Sequence, residues 1–404
     1  MPAEEAATSD KKPKQNGWRA LLRARRRREK REKRQEMMIN HKPSLFRWPT
    51  RALPAVAGCR TEPHKPCCVS CDQNVGSHLV LDLGARLLAT RSAFQAIEVF
   101  DTEAFGHVMT IDGDLQLTEL DECHYHEMMV HVPLASRKPG AGAPRVLIIG
   151  GGDGGCAREA LRWPGATVTL VDIDAAVLDA ARRFFPACAA GLDDPRTEVH
   201  VSDGAAFAAA AAARGDTYDL VICDSTDCSA AERASGTLYT DAFFVSVAAL
   251  VAPGGFFCRN YTSLLLCTWK SKFHGAFAES SRRPPRHRRD ACSTACAPDA
   301  LFDFHTGLLW NTDEAAATLP RYAAHFAHAS PFVWNQPTYS SGSYSALLCG
   351  AAAPCATRDL AAIAATLGET DYWTPAVHRA AFALPAFVAR RMSPSAPPAP
   401  PNES

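Results

Sequence analysis

The sequence predicts an α/β protein, an open parallel sheet with helices on both faces, preceded by a small antiparallel sheet. Three observations predict it. Four strand-like runs, RVLIIG (145–150), TVTLVDI (167–173), TEVHV (197–201) and YDLVICD (218–224), are separated by helical patterns, the βαβ rhythm of a parallel sheet. A glycine-rich turn, GGGDGG (150–155), follows the first run directly and opens a helix. Upstream, residues 79–117 alternate apolar and polar, as in FQAIEVF and FGHVMTIDGDLQLTE, with IDGD as a hairpin turn.

The elements follow in order. Residues 1–50 hold 15 Lys and Arg against 6 Asp and Glu, although the whole 404-residue chain balances at 43 and 43. A basic tail is therefore attached to an acidic body. Residues 1–78 are expected to be disordered, and Arg25 to Arg34 is read as a solvated charged helix rather than a nuclear-localisation or nucleic-acid patch. Glu4, Glu5 and Asp10 argue against an organelle transit peptide. The antiparallel domain is placed at 79–136, including a helix over 120–135, and the parallel domain at 137–392. Within the latter, LVAPGGFFCRN (250–260) supplies a helix end, a glycine turn and a strand. Residues 264–319 contain SSRRPPRHRRDACSTACAPD and read as a disordered insertion. SYSALLCG (343–350) reads as a strand, 360–368 as a helix, 376–391 as a C-terminal segment, and 393–404 as a Pro-rich tail. No window is long and apolar enough for a membrane span. The 15 cysteines are scattered through helices and strands and are expected to be reduced thiols. Cys59, Cys67, Cys68 and Cys71 beside His64 lack a second ligand pair at knuckle spacing, so no metal site is expected there.

The chemistry concentrates at the carboxyl ends of the parallel strands. Gly150, Gly152 and Gly155 satisfy G-x-G-x-x-G, which allows close approach of the backbone to a dinucleotide or an S-adenosyl group. Asp172 ends the second strand, where a carboxylate accepts from both ribose hydroxyls. Asp153, inside the glycine loop, would repel a pyrophosphate and equally a methionine carboxylate, and favours a ligand ending in an amine. Asp203-Gly204 ends the third strand and suits an adenine edge; Asp224 and Asp227 end the fourth. Five acids in one crevice suit a polycation, with metal binding as the competing use of clustered carboxylates.

On these residues the chain resembles spermidine synthase and related polyamine aminopropyltransferases. The resemblance rests on Gln95 in FQAIEVF, IDGDLQLTELDECHYHEMMVHVPL (111–134), VLIIGGGDGG (146–155), LDDPRTEVHVSDGA (192–205), YDLVICDSTD (218–227), QPTYSSG (336–342) and AVHRAAFALP (376–385). It implies a Rossmann-like, seven-stranded methyltransferase-type domain behind an N-terminal β-domain. It also implies aminopropyl transfer from decarboxylated S-adenosylmethionine to putrescine, giving spermidine and methylthioadenosine. The alternatives are a spermine or thermospermine synthase taking spermidine, and a non-catalytic polyamine-binding paralogue. By the same resemblance Gln95, Asp172, Asp203 and Gly204 hold the nucleoside, with Gly150 and Gly152 beneath it, and Asp153 takes the aminopropyl ammonium. Asp224 is the base, and Tyr125, His126, Asp227, Tyr339 and Gln116 orient the diamine. Neither cofactor nor metal is implied. A homodimer in the cytoplasm is expected, with the basic tail leaving the nucleus open.

The chain departs from the family in four places. Asp172 stands where Glu is usual, Cys228 and Ala231 replace prolines after the base, the usual Gly-Trp-Phe start is missing, and 261–319 replaces a helix.

Overall fold

Among the described residues the first pairing is a hairpin of β1 (Ser70–Asp72) with β2 (Ser77–Leu79). The computed structural model describes residues 70–72, 77–79, 81, 83–226, 234–260, 319–339, 342–356 and 358–392. Ordered pairing thus begins inside the stretch expected to be tail. The basic run, Cys59, Cys67, Cys68, Asp227, Cys228, Ala231, the insertion up to residue 318 and the Pro-rich end lie outside the described residues.

The alternating segment forms an antiparallel sheet of β3 (Arg86–Arg91), β4 (Ala96–Thr102), β5 (Gly106–Ile111) and β6 (Asp114–Thr118), in that order. At the IDGD turn Asp112 and Gly113 both take positive φ, 53° and 87°, as a two-residue hairpin matching the strand twist requires. One face buries Ile97, Val99, Met109, Ile111 and Leu117 against Val177, Ala180 and Phe185 of the following domain. Helix α1 (Glu122–Ala135) is buried from His126 to its end, so it shows little amphipathic pattern. Its buried polar groups are all partnered. Glu127 accepts the backbone N–H groups of Asp371, Tyr372 and Trp373 at 2.6–2.9 Å, and His131 lies between Glu159 and the Trp163 indole N–H.

The main sheet comprises β7 (Arg145–Gly150), β8 (Thr167–Asp172), β9 (Thr197–Val201), β10 (Tyr218–Asp224), β11 (Val251–Asn260), β12 (His328–Asn335) and β13 (Ser343–Gly350), in the order β12-β13-β11-β10-β7-β8-β9. β7 to β11 are parallel; β13 runs antiparallel to β11 and β12. The central strands are near-continuous apolar runs because helices cover both faces. Those helices are α2 (Gly155–Ala160), α3 (Ala175–Phe184), α4 (Gly204–Arg214), α5 (Asp241–Leu250), α6 (Leu360–Leu367), α7 (Pro375–Ala381) and α8 (Ala386–Met392). Asp174, Asp203, Thr240, Asp359 and Thr374 each cap a helix through a side-chain oxygen. Strand β12 escapes sequence reading because Pro331 interrupts its pattern, and an edge strand tolerates that proline. Among the described residues Cys123, Cys156, Cys188, Cys223, Cys258 and Cys349 are free thiols. No helix among the described residues is long and apolar enough to cross a membrane.

Candidate active site

The chain departs in opposite directions from the neighbouring strands β7 and β10, and a crevice opens at their carboxyl ends. Gly150 ends β7 with φ +85°, and a Cβ there would lie 2.0 Å from the Asp224 carbonyl oxygen. The next residue, Gly151, donates its N–H to that oxygen at 2.8 Å. Only glycine allows this contact, which fastens the loop to the end of β10. Gly152 N–H then reaches Asp172 Oδ2 at 3.0 Å.

On one side the cavity is lined by Gln95, Asp172, Asp203, Gly204 and Leu238. Asp172 is only 9 % exposed and accepts N–H groups from Gly152 and Asp174 on its two oxygens. Burial outweighs those bonds and, with Asp174 and Asp153 nearby, pushes its pKa up to about 6. Asp174 in turn accepts from Gln95 Nε2 at 3.0 Å and Ser92 Oγ at 2.7 Å, which fixes the glutamine. Asp203 caps α4 through Oδ1, and a Cβ on Gly204 would meet Ile149 at 2.4 Å.

On the other side Asp224 Oδ1 accepts the Tyr125 hydroxyl at 2.6 Å, and Oδ2 accepts the Cys156 thiol at 3.3 Å. Burial and the charge of Asp153 raise the Asp224 pKa, while His126, Tyr125 and Cys156 pull it back. Asp153 Oδ1 meets Gly155 N–H at 2.7 Å, His126 Nε2 at 3.3 Å and the Cys188 thiol at 3.8 Å. Behind it the charges alternate. His126 Nδ1 binds Glu122 at 2.6 Å, Arg158 grips both Glu122 oxygens at 2.7 and 2.8 Å, and Glu159 lies between Arg158 and His131. Burial favours neutral His126, but Asp153 outweighs it and holds the imidazole pKa well above its ordinary value. Tyr125, Trp334, Tyr339 and Tyr344 form an aromatic wall with ring centroids 5.0–6.0 Å apart.

Residues 122–272 match the spermine/spermidine synthase domain, and residues 72–119 the spermidine synthase tetramerisation domain. A spermine synthase from Arabidopsis thaliana is 31% identical over 318 residues, covering 76% of this chain and 74% of that protein. The chain belongs to the spermine/spermidine synthase family. Spermidine synthase 1 of Datura stramonium is 41% identical over 181 residues, 45% of this chain and 56% of that protein. Among solved structures, a spermidine synthase in complex with the transition-state analogue AdoDATO superposes with a TM-score of 0.63 at 25% identity, covering 81% of this chain and 94% of that one. The antiparallel sheet is therefore the family's tetramerisation domain, and the seven-stranded sheet its aminopropyltransferase domain.

Gln95, Gln116, Tyr125, His126, Gly150, Gly152, Asp153, Asp172, Asp203, Gly204, Asp224 and Tyr339 all line this one cavity. Two are placed differently from expectation. His126 is clasped between Glu122 and Asp153 rather than presented to an acceptor. Asp153 spends Oδ1 on three contacts within the protein, so Oδ2 is the oxygen left to a ligand. Sequence reasoning missed Asp121, which accepts from Thr118, Thr338 Oγ1 and Thr338 N–H at 2.7–3.0 Å and ties the start of α1 to the QPTY turn. Nothing in the run TELDEC distinguishes it from a solvated acid. Asp174 was legible only as a helix cap, two residues after a strand end.

Proposed function

We propose that the protein transfers the aminopropyl group of decarboxylated S-adenosylmethionine to putrescine, releasing spermidine and methylthioadenosine. The supporting observation is one cavity with two chemically different ends. Asp172, Asp203, Gln95 and the glycine loop are set for a nucleoside; Asp224, Asp153 and Tyr125 form an acidic end bounded by the aromatic wall. Asp153 Oδ2 takes the aminopropyl ammonium, and a ligand carrying a carboxylate there would be repelled. The acceptor lies along Tyr125, Tyr339 and Gln116, with His126 acting through Asp153; Asp227, outside the described residues, is assigned to the acceptor by the family resemblance alone.

In the reaction, Asp224 accepts a proton from the acceptor's near ammonium, helped by its raised pKa. The freed nitrogen lone pair attacks the aminopropyl carbon attached to sulfur. The C–S bond breaks, its electron pair returns to sulfur, and neutral methylthioadenosine leaves. Transfer is direct, requires no cofactor, and gains chiefly from holding both substrates in line. We further infer a homodimer built through the N-terminal sheet, working in the cytoplasm.

A second reading takes spermidine as acceptor. It is favoured by Asp172 in place of the usual Glu and by the spermine synthase among the relatives. The deciding experiment incubates the purified chain with decarboxylated S-adenosylmethionine and putrescine, spermidine or cadaverine in turn, with chromatography of products. Spermidine formed fastest from putrescine is expected. Preference for spermidine supports the second reading, and no methylthioadenosine from any acceptor refutes transfer and leaves a non-catalytic binder.

A further inference from the structure

Beside the groups assigned to the amine, the acidic end of the cavity contains one that amine binding does not call for, the Cys156 thiol. A ring nitrogen of His126, the Cys156 thiol sulfur and a carboxylate oxygen of Asp224 all lie within 4.8 Å of one another. The sulfur to Asp224 Oδ2 distance is 3.3 Å. A tetrahedral ion with bonds of about 2.0–2.3 Å separates its ligands by roughly 3.4–3.7 Å, so small side-chain adjustments suffice. One nitrogen, one sulfur and one oxygen make a set that zinc accepts and that magnesium or calcium does not prefer.

The three donors come from three elements fixed against each other: α1, the start of α2 and the end of β10. Two of them are oriented from behind, as metal ligands commonly are. Glu122 holds His126 Nδ1 at 2.6 Å, and the Tyr125 hydroxyl holds Asp224 Oδ1 at 2.6 Å. Cys156 is fully buried, whereas His126 and Asp224 line the cavity, which supplies both an entry path and a fourth coordination position.

We propose that His126, Cys156 and Asp224 form a binding site for a thiophilic divalent cation, zinc or cadmium, that shuts the acidic end of the cavity. On binding, His126 Nε2 turns from Asp153 to the ion, and the Cys156 proton and the Nε2 proton both pass to solvent. Thiolate and carboxylate then neutralise the ion's two charges, and the imidazole binds as a neutral donor. The ion takes the Asp224 oxygen that faces the thiol, so ion and amine exclude one another. That last consequence rests on the transfer reaction proposed above; the binding itself does not.

The test uses the full chain with Cys59, Cys67, Cys68 and Cys71 replaced by serine, which removes the thiols that cluster in the N-terminal sequence. Cobalt(II) is added as a spectroscopic substitute for zinc, and the near-ultraviolet thiolate-to-cobalt absorption is followed. One equivalent should produce the band, and zinc should displace it. Cys156→Val and Asp224→Asn should each abolish it in protein whose circular dichroism remains native, and Cys188→Ala should keep it. Either variant suffices if the other fails to fold. A band that survives Cys156→Val, or that disappears in Cys188→Ala instead, overturns the assignment. In turnover assays zinc should inhibit competitively against putrescine, and Cys156→Val should need at least tenfold more zinc for half-inhibition; equal sensitivity overturns the exclusion. Because the band is read without turnover, an inactive preparation that shows it supports the cation site while refuting the reaction.

Discussion

Lowering the pH should loosen nucleoside binding through a single residue, Asp172. Its carboxylate is assigned to the ribose hydroxyls, a task that requires the ionised form, and in the empty cavity its pKa stands at about 6. Near pH 7 roughly nine-tenths of the group is ionised, and near pH 5 roughly one-tenth, so methylthioadenosine should bind about tenfold more weakly at the lower pH, or ~1.4 kcal/mol. The stability effect has the opposite sign. A carboxyl group whose folded pKa is raised above 3.8 favours the fold in its protonated form. Its contribution is complete below the unfolded value and is lost as pH rises through about 6. The empty protein should therefore gain ~1.3 kcal/mol from this residue between pH 7 and pH 5, as binding weakens. Titration calorimetry with methylthioadenosine from pH 5 to 7.5, beside urea melts of the empty protein, measures both. Asp172→Asn should bind weakly with a flat profile, since it keeps one acceptor oxygen where two N–H groups now converge. A wild-type affinity that does not change across this range would falsify the reasoning, as would an identical slope in Asp172→Asn.

Three further outcomes are expected. Asp224→Asn should lower turnover by about 10²–10⁴ while methylthioadenosine affinity stays within a few-fold in calorimetry; near-normal turnover refutes Asp224 as the base. Glu127→Gln should lower stability in urea unfolding by roughly 1–3 kcal/mol, because its two oxygens take three backbone N–H groups and an amide offers one acceptor; an unchanged midpoint contradicts it. Gly150→Ala, which combines φ +85° with a 2.0 Å approach to the Asp224 carbonyl, should abolish methylthioadenosine binding in any protein that folds, and wild-type affinity would show that the loop yields.

The central parallel strands were legible in the sequence because burial on both faces leaves bare apolar runs, and Arg145–Gly150 and Tyr218–Asp224 fall where the runs place them; Thr197–Val201, a half-exposed edge strand, also falls where the sequence places it. The IDGD turn was equally plain, since its positive φ angles demand the residues present. Strand β12 was hidden by Pro331, and the hairpin of β1 and β2 by its brevity. In the cavity, acids at strand ends could be found one by one, because position alone nominates them. Their partners could not. Asp121 meets Thr338, Glu122 meets Arg158, and Cys156 meets Asp224 only after folding, and no local spacing encodes such pairs. Hence Asp153 reads in the sequence as an uncompensated charge, whereas in the fold His126 Nε2 lies 3.3 Å from its Oδ1 and its charge raises the imidazole pKa.

The tie between Asp121 and Thr338 spans 217 residues of chain. During synthesis, a nascent polypeptide that has emerged through β11 already carries the glycine loop and every described carboxylate of the cavity, yet it lacks Gln336, Thr338, Tyr339 and Tyr344. Its acidic groups would face open water along that side. A truncation ending near Asn260 should for that reason be unable to retain an amine, and the ligand, by bridging early and late segments, should act as a folding chaperone for the last strands to arrive.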